Sequence, residues 1–438
     1  MYSKNKLIII SLFLAIVLAS RSLSFLNSSP VAQSEDTTII KYEVNNAFIG
    51  NLRHTIRIDN PTLYTIENLK LFVPLIRNET ARHYVTLSNI SSPIGQPKII
   101  KDDSENIYAY WDSITLNARQ SLRVDMSYYL LSFDTHYLVS SSLSEDYDEN
   151  SDLYRRYTQP EPLIESDDPE IISKAQGITT NSNTTFGKVS NIYNFVISHV
   201  RYAVQDEERG ALWALENKTG DCSEYSYLFV ALCRASGIPA RIQAGFAFYS
   251  TTETTEDGHM WAEYYLENCG WVPADATWRQ FSALDFKHFS SVQSTPEYIP
   301  YSNYFYNGTS GVELVDNQTV TLNPCPASVF GNNSFAENAV KAVQNINQAK
   351  SSLFIGKAVG ISWILPSETE KTESTLLESK LVLQDTLERF DQTNIDACLK
   401  KAEESSRTAL SAILKALAIY VSIAAVIMLI VAIFLTRH

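Results

Sequence analysis

Past its opening segment, the first third of the chain alternates apolar and polar positions in short runs. Ile39-Ile40-Lys41-Tyr42-Glu43-Val44, His54-Thr55-Ile56-Arg57-Ile58, Leu69-Lys70-Leu71-Phe72-Val73, Ile107-Tyr108-Ala109-Tyr110-Trp111 and Leu122-Arg123-Val124-Asp125-Met126 are β-rich. Their period of two puts one face in a core and the other in solvent. Turn chemistry such as Asp59-Asn60-Pro61 separates them. Several short strands at regular spacing predict an antiparallel β-sandwich, assigned to a domain of its own over 35–140.

Beyond it the period changes. An acidic, polar connector from Ser140 to Asp168 leads to Asp168-Pro169-Glu170, a helix start. Val189, Ile192, Tyr193, Val196 and Val200 recur at helical spacing and predict a second helix ending near His199, which reads as a helix-end residue. A third helix follows Cys222, with an apolar stripe at Tyr225, Leu228, Phe229, Leu232 and Ala235 and a C-terminal Gly237. Three strands come next: one through Ile242, Ala244, Phe246 and Phe248, one over His259–Leu266 and one over Trp271–Asp275.

From Phe335 to Lys415 the pattern is helical, with Ala339, Val343 and Ile346 in one stripe and Leu376, Leu377, Leu381, Leu387 and Phe390 in another. Glu- and Lys-rich faces suggest a solvated stalk, with a helical hairpin or short coiled coil equally compatible. Thr393 or Asn394 would cap a last helix leading into Ala416–Leu435, an uninterrupted apolar run of the length that crosses a bilayer. At the other end Lys4 and Lys6 precede the apolar run Leu7–Ala19, the order of a secretory signal or an uncleaved anchor. Translocation of that end would leave the body outside the cell and Arg437 inside. The expected divisions are thus 1–34 signal peptide or anchor, 35–140 sandwich, 141–330 catalytic domain, 331–414 helical stalk, and 415–438 transmembrane helix with a short cytoplasmic tail.

Composition changes the picture in three places. At 438 residues the chain exceeds one ordinary core. A formal net charge of -14 without clustered Lys and Arg excludes nucleic acid as an expected partner. Sequons at Asn27, Asn78, Asn89, Asn183, Asn217, Asn307, Asn317 and Asn332 all fall between the two apolar ends and fit an exported body. Of five cysteines, Cys269 and Cys325 form the one candidate disulfide.

The candidate chemistry centres on Gly220-Asp221-Cys222. A cysteine at a helix N-terminus meets unpaired backbone N–H groups and the positive end of the helix dipole, both of which favour a thiolate. Such a nucleophile needs a base and a group to orient that base, and Cys222, His259 and Asp275 supply the three types in order. His259 and Asp275 lie on successive strands, yet a two-residue turn at Asn268-Cys269 would set Asp275 opposite Ala262, on the wrong face. An odd-length loop, a bulge, or pairing that lapses before Asp275 is therefore expected. Glu263 reads as an exposed partner of Arg241, and Trp261 and Trp271 as core or cleft-wall aromatics.

Taken together, Gly220-Asp221-Cys222, Arg234-Ala235-Ser236-Gly237-Ile238-Pro239-Ala240-Arg241, His259-x-Trp261-x-Glu263 and Gly270-Trp271-Val272-Pro273-x-Asp275-x-Thr277 resemble the transglutaminase-like core, over about residues 165 to 280. Met260 and Ala276 depart from its usual residues without removing a reacting group. The resemblance implies an α+β, papain-like core in which a helix bearing the cysteine packs on an antiparallel sheet, as in membrane-anchored prokaryotic, including archaeal, members. It also implies Cys222 as nucleophile, His259 as general base and acid, and Asp275 as the orienting carboxylate, with no cofactor and no metal. Oxyanion donors would be the Cys222 backbone N–H and Trp213, and Trp261 would wall the cleft.

The expected function is cysteine-dependent acyl transfer from a peptide or glutamine amide to an amine or to water, on protein or peptide substrates of the cell envelope or exterior. No loop of alternating oxygen ligands suggests calcium. The alternative is a non-enzymatic surface module for adhesion or envelope assembly.

Overall fold

The computed structural model describes residues 39–140, 146–294, 301–307, 314–331, 335–390 and 394–437. The expected signal segment, the sequons at Asn27 and Asn332, and Thr393 lie outside the described residues. Six strands open the fold: β1 (Tyr42–Asp59), β2 (Ile66–Pro74), β3 (His83–Ser91), β4 (Lys98–Lys101), β5 (Ile107–Leu116) and β6 (Ser121–Tyr137). The first two runs read from the sequence fuse into β1, because Asn45-Asn46 is absorbed as a register shift against β6 and makes no turn. Strands β3 and β4 escaped the periodicity for a physical reason. Every residue of β4 is exposed and β3 buries only its first, so neither alternates.

Two antiparallel sheets face one another across Leu52, Ile56, Leu71, Trp111 and Val124. One has β6 between β1 and β3, and the other runs β2-β5-β4. Neither is completed within the first 140 residues. Val315–Pro324 pairs along β1, Ala283–Leu284 extends β6, and Phe305–Asn307 extends β2. Long strands leave edges that must be paired or covered, and here later segments of the chain pair them. From Ile40 onward the chain is one compact unit.

Helices α1 (Asp152–Tyr157), α2 (Pro169–Thr179), α3 (Thr185–His199), α4 (Ala211–Asn217) and α5 (Cys222–Ala235) follow. Asp168 caps α2 by accepting the Glu170 N–H at 2.8 Å, and His199 ends α3 with Nε2 2.7 Å from the Leu215 carbonyl, the helix-end role expected of it. A second antiparallel sheet system runs Gln280–Phe281, β9 (Gly270–Asp275), β8 (His259–Leu266), β7 (Ala240–Ala247) and β10 (His288–Gln293), where β7 to β10 are numbered in chain order. Its apolar face, with Ile242, Ala244, Ala262, Tyr264, Val272 and Ala274, shares one core with α5. The single stripe read for α5 is too narrow: every residue from Ser223 to Arg234 is buried, since α2, α3 and α4 contact it as well as the sheet.

The tail forms α6 (Phe335–Ala358), α7 (Ile361–Ile364), α8 (Pro366–Arg389) and α9 (Ile395–Thr436). These helices are not a free solvated stalk. Ala339, Val343, Ile346, Leu383, Leu387, Ala402 and Ala409 bury together, and the bundle docks on β1. Lys350 and Lys380 both bridge Glu43, and the Tyr42 hydroxyl donates to the Gln384 carbonyl at 3.2 Å. Helix α9 begins after Asn394 and continues unbroken through the apolar run; it is one helix long and apolar enough to span a membrane.

The expected Cys269–Cys325 bridge is absent, and all five cysteines are free. Cys269 sits in the β8–β9 hairpin, whereas Cys325 follows the strand paired with β1 and gives its N–H to the Ile49 carbonyl at 3.1 Å.

Candidate active site

The start of α5 is built by its own side chains. The Asp221 carboxylate accepts the Ser223 N–H at 3.0 Å, and Glu224 reaches back to accept the Asp221 N–H at 2.8 Å, a reciprocal capping box. Glu224 also accepts the Arg209 N–H at 2.8 Å, tying the preceding loop to the helix start. Gly220 is required by space. A Cβ there would lie 2.3 Å from the Glu224 Cβ. This packing fixes Cys222 as the first residue of α5, half-buried and on the wall of a cleft of about 380 Å³. Glu208, Ser223, His259, Met260, Asn303 and Tyr304 share that wall.

The β8–β9 hairpin carries the irregularity expected of it. Its closing pair is Leu266–Gly270, leaving a three-residue loop, Glu267 to Cys269. The Cys269 N–H returns to the Leu266 carbonyl at 2.9 Å and Gly270 takes φ +89°, a conformation costly for any residue with a side chain. Odd loop length gives paired residues equal parity, so past the last pair, Ala262–Ala274, Asp275 falls on the face that carries His259, Trp261 and Glu263. His259 Nε2 lies 2.8 Å from Asp275 Oδ2. That contact leaves the other ring nitrogen, Nδ1, unengaged by Asp275, and Cys222 lines the same cleft as the imidazole.

Charge follows from this contact set. Burial by itself would push the His259 imidazolium down, but the Asp275 carboxylate and then the Cys222 sulfur outweigh it and raise the group to about 9. Burial would push Asp275 up, yet His259 and His288 hold it well below the usual carboxylate range. Three donors meet this carboxylate: His259 and His288 at Oδ2, the latter at 3.2 Å, and the Trp278 N–H at Oδ1, at 2.8 Å.

His288 and Asp285 were not singled out in the sequence. His288 Nδ1 is 2.8 Å from Asp285 Oδ1 while its Nε2 faces Asp275, so both ring nitrogens meet carboxylates, which only accept. The ring therefore keeps both N–H protons. Burial opposes this, and Asp275 and Asp285 overcome it and raise His288. Asp285 in turn is held down to about 2, burial being outweighed by His288 and the Lys287 N–H. An Asp-x-x-His spacing was the only local signal, and it is too common to stand out. Gly245 makes the juxtaposition possible: it pairs with both His259 and Ser290, and a Cβ on it would lie 2.0 Å from the Phe289 carbonyl oxygen.

His259, Asp275 and His288 present three ligand atoms within 4.8 Å of one another. Both imidazoles direct Nε2 at one Asp275 oxygen, so the cluster is built as a hydrogen-bonded chain, and a cation would have to replace both shared protons.

Farther along the same sheet face Glu263 is fully buried, not exposed. Arg241 is its partner, as the sequence suggests, with Nε 2.6 Å away, but Arg82 also pairs with it and Gln243 donates at 2.6 Å. These cations hold Glu263 far below its ordinary range against the opposing effect of burial. Trp261 is likewise fully buried, stacked 6.1 Å from His259 and edge-on to His288, so it backs the site rather than walling the cleft. Trp213 on α4 lies under the Arg209 guanidinium and is not among the residues lining the cleft.

Cys222, His259 and Asp275 all fall within one segment that matches a known family. Residues 172–276 match the family model of the Transglutaminase-like superfamily. The chain is 28% identical over 170 residues to the uncharacterized protein YebA of Bacillus subtilis (strain 168); the match takes in 32% of this chain and 22% of that protein. Among solved structures, a Cytophaga hutchinsonii protein provisionally named a cysteine protease aligns at 16% identity and a TM-score of 0.47, covering 65% of this chain and 94% of its own. The periplasmic domain of TgpA from Pseudomonas aeruginosa, bound to ethylmercury, aligns at 16% identity and a TM-score of 0.28, covering 52% and 90%.

Proposed function

We propose that the protein is a membrane-anchored, extracellular cysteine enzyme that takes an acyl group from a peptide or glutamine amide and passes it to water or an amine. The observation that carries this is that Cys222 and His259, the latter hydrogen-bonded to Asp275, share the wall of one cleft. In the proposed reaction the Cys222 thiolate adds to the amide carbonyl carbon, and the Cys222 backbone N–H, which as a first-turn donor has no acceptor within the helix, faces the developing oxyanion. The C–N bond breaks as His259 gives its proton to the departing nitrogen, leaving a thioester. Water or a primary amine then attacks, His259 takes its proton, and the thiolate leaves. Asp275 keeps Nε2–H engaged so that Nδ1 faces sulfur, and His288 fixes the Asp275 carboxylate from behind.

The span α9 would anchor this body outside the cell, with Arg437 on the cytoplasmic side, as the positive-inside rule favours. The test uses the full chain in detergent with an electrophilic thioester-forming probe, glutamine-containing peptides and a fluorescent amine. Labelling at Cys222, lost in Cys222→Ala, together with ammonia release, is the expected result. Amine incorporation against free acid then separates transfer from hydrolysis. Equal probe labelling in both proteins, with no turnover, would leave the fold as a binding module and refute the proposal.

A further inference from the structure

The membrane-proximal end of the helical bundle carries an apolar cap that neither the catalytic site nor the span accounts for. Leu353-Phe354-Ile355-Gly356-Lys357-Ala358-Val359-Gly360-Ile361-Ser362-Trp363-Ile364-Leu365 covers the end of α6, the turn and α7. Phe354 is 76% exposed, Ile355 53%, Trp363 42% and Val359 41%. A contiguous patch of this kind on one turn marks an interaction surface.

Its height is fixed by α9. Gly356 has no side chain where the Ile413 Cγ1 lies 3.5 Å from its would-be Cβ, and the Tyr420 hydroxyl donates to the Val359 carbonyl. Ile361 buries with Ala412 and Ala416, with Leu365 packed against them. The turn is thus held at the level of Ile413 to Tyr420. At about 1.5 Å per residue the apolar run from Ala416 to Leu435 measures about 30 Å, the thickness of a bilayer's hydrocarbon core. Tyr420 then lies about 6 Å inside the boundary, and its hydroxyl ties Val359 and Gly360 to the outer end of the apolar run. Raising the helix until the turn is clear would leave only Val421–Leu435, roughly 22 Å, to cross.

We infer that the α6–α7 turn is a second membrane contact, a monotopic wedge dipping into the leaflet on the side of the body, with Trp363, Phe354 and Tyr420 at the interfacial level. The inference rests on α9 spanning the bilayer. Polar groups fit that placement: Lys415 bridges Glu368 at 2.5 Å just above the apolar run, and Lys357 is drawn up α8 to Glu373, away from the tip. Aromatic side chains favour this depth because their rings are amphipathic. The consequence is a body held against the membrane at a fixed height, where a single span would let it tilt.

The test places the full chain in nanodiscs of phosphatidylcholine brominated high on the acyl chain, where a nearby indole is quenched. Trp363 is one of six tryptophans, so up to about a sixth of the emission should be lost relative to unbrominated discs, and Trp363→Phe should abolish that loss. Val426→Trp, made in the Trp363→Phe background, reports the span with lipid brominated near the chain ends. Quenching of Val426→Trp without any Trp363-dependent quenching overturns the wedge while keeping the span. Cross-linking of two copies through this turn in that case would assign the surface to self-association. Quenching of neither removes the span and the inference together.

Discussion

Replacing Asp275 with asparagine removes one charge and keeps the shape, and the structure says how far His259 should move. Three donors converge on the two carboxylate oxygens, so an amide NH2 meets a donor whichever way it is turned. The surroundings that disfavour a buried imidazolium remain, while the main influence overcoming them is gone. His259 should fall from about 9 toward its ordinary 6.5, a change of up to about 2.5 pH units, or about 3 kcal/mol. The assay is the pH dependence of iodoacetamide alkylation at Cys222, with Cys222→Ala as background; the limb that reports loss of the imidazolium should move down by that amount. The sign in stability is fixed as well. A raised histidine stabilises the fold in full below 6.5 and loses that contribution as pH rises through about 9, so Asp275→Asn should narrow the alkaline stability range. An Asp275→Asn limb that stays within half a pH unit of the native one would refute the assignment of Asp275 as the group that sets the charge of His259.

His288→Leu should shift the same limb upward, opposite to Asp275→Asn, because a cation whose ring lies 5.5 Å from His259 is lost; it should also lower kcat by about 10- to 100-fold, the worth of a hydrogen bond to a charged group. His288→Gln, which can still donate to Asp275, should recover part of kcat, and a kcat equal to that of His288→Leu would argue that the residue is only packing. Glu263→Gln leaves Arg82 and Arg241 without their shared anion and should cost about 3–5 kcal/mol in denaturant unfolding, with no change of the alkylation limb beyond that loss of fold. Gly270→Val forces a β-branched residue into φ +89° and should cost about 1–2 kcal/mol or more, with Cys222 alkylation slowed as the register carrying Asp275 loosens. Unchanged stability and alkylation would show that the three-residue loop does not set the register.

Much of the candidate site was legible because it is local. The cap, the cysteine and the helix that follows are adjacent in sequence, and the parity of two neighbouring strands called for an odd loop, a bulge or lapsed pairing, of which Glu267–Cys269 supplies the first. His288 was not legible. It reaches Asp275 only through β10 pairing with β7, across the strand that also carries Gly245, and no spacing in the sequence records that pairing. Glu263 was misplaced for a related reason. Alternation says which face a side chain takes, but not that Arg77, Glu79 and Arg82, from the loop between β2 and β3, close over that face and make it interior.

The sequence by itself determined the periods, the helix caps, the order cysteine–histidine–aspartate and the length of the apolar run, since each depends on neighbours within one or two elements. Only the tertiary structure decided that later strands complete the first sheets, that the tail docks on β1, and that an apolar turn sits level with Tyr420. Those outcomes depend on contacts between segments from about sixty to about three hundred residues apart, where burial is set by what packs on a face and not by the residues that form it.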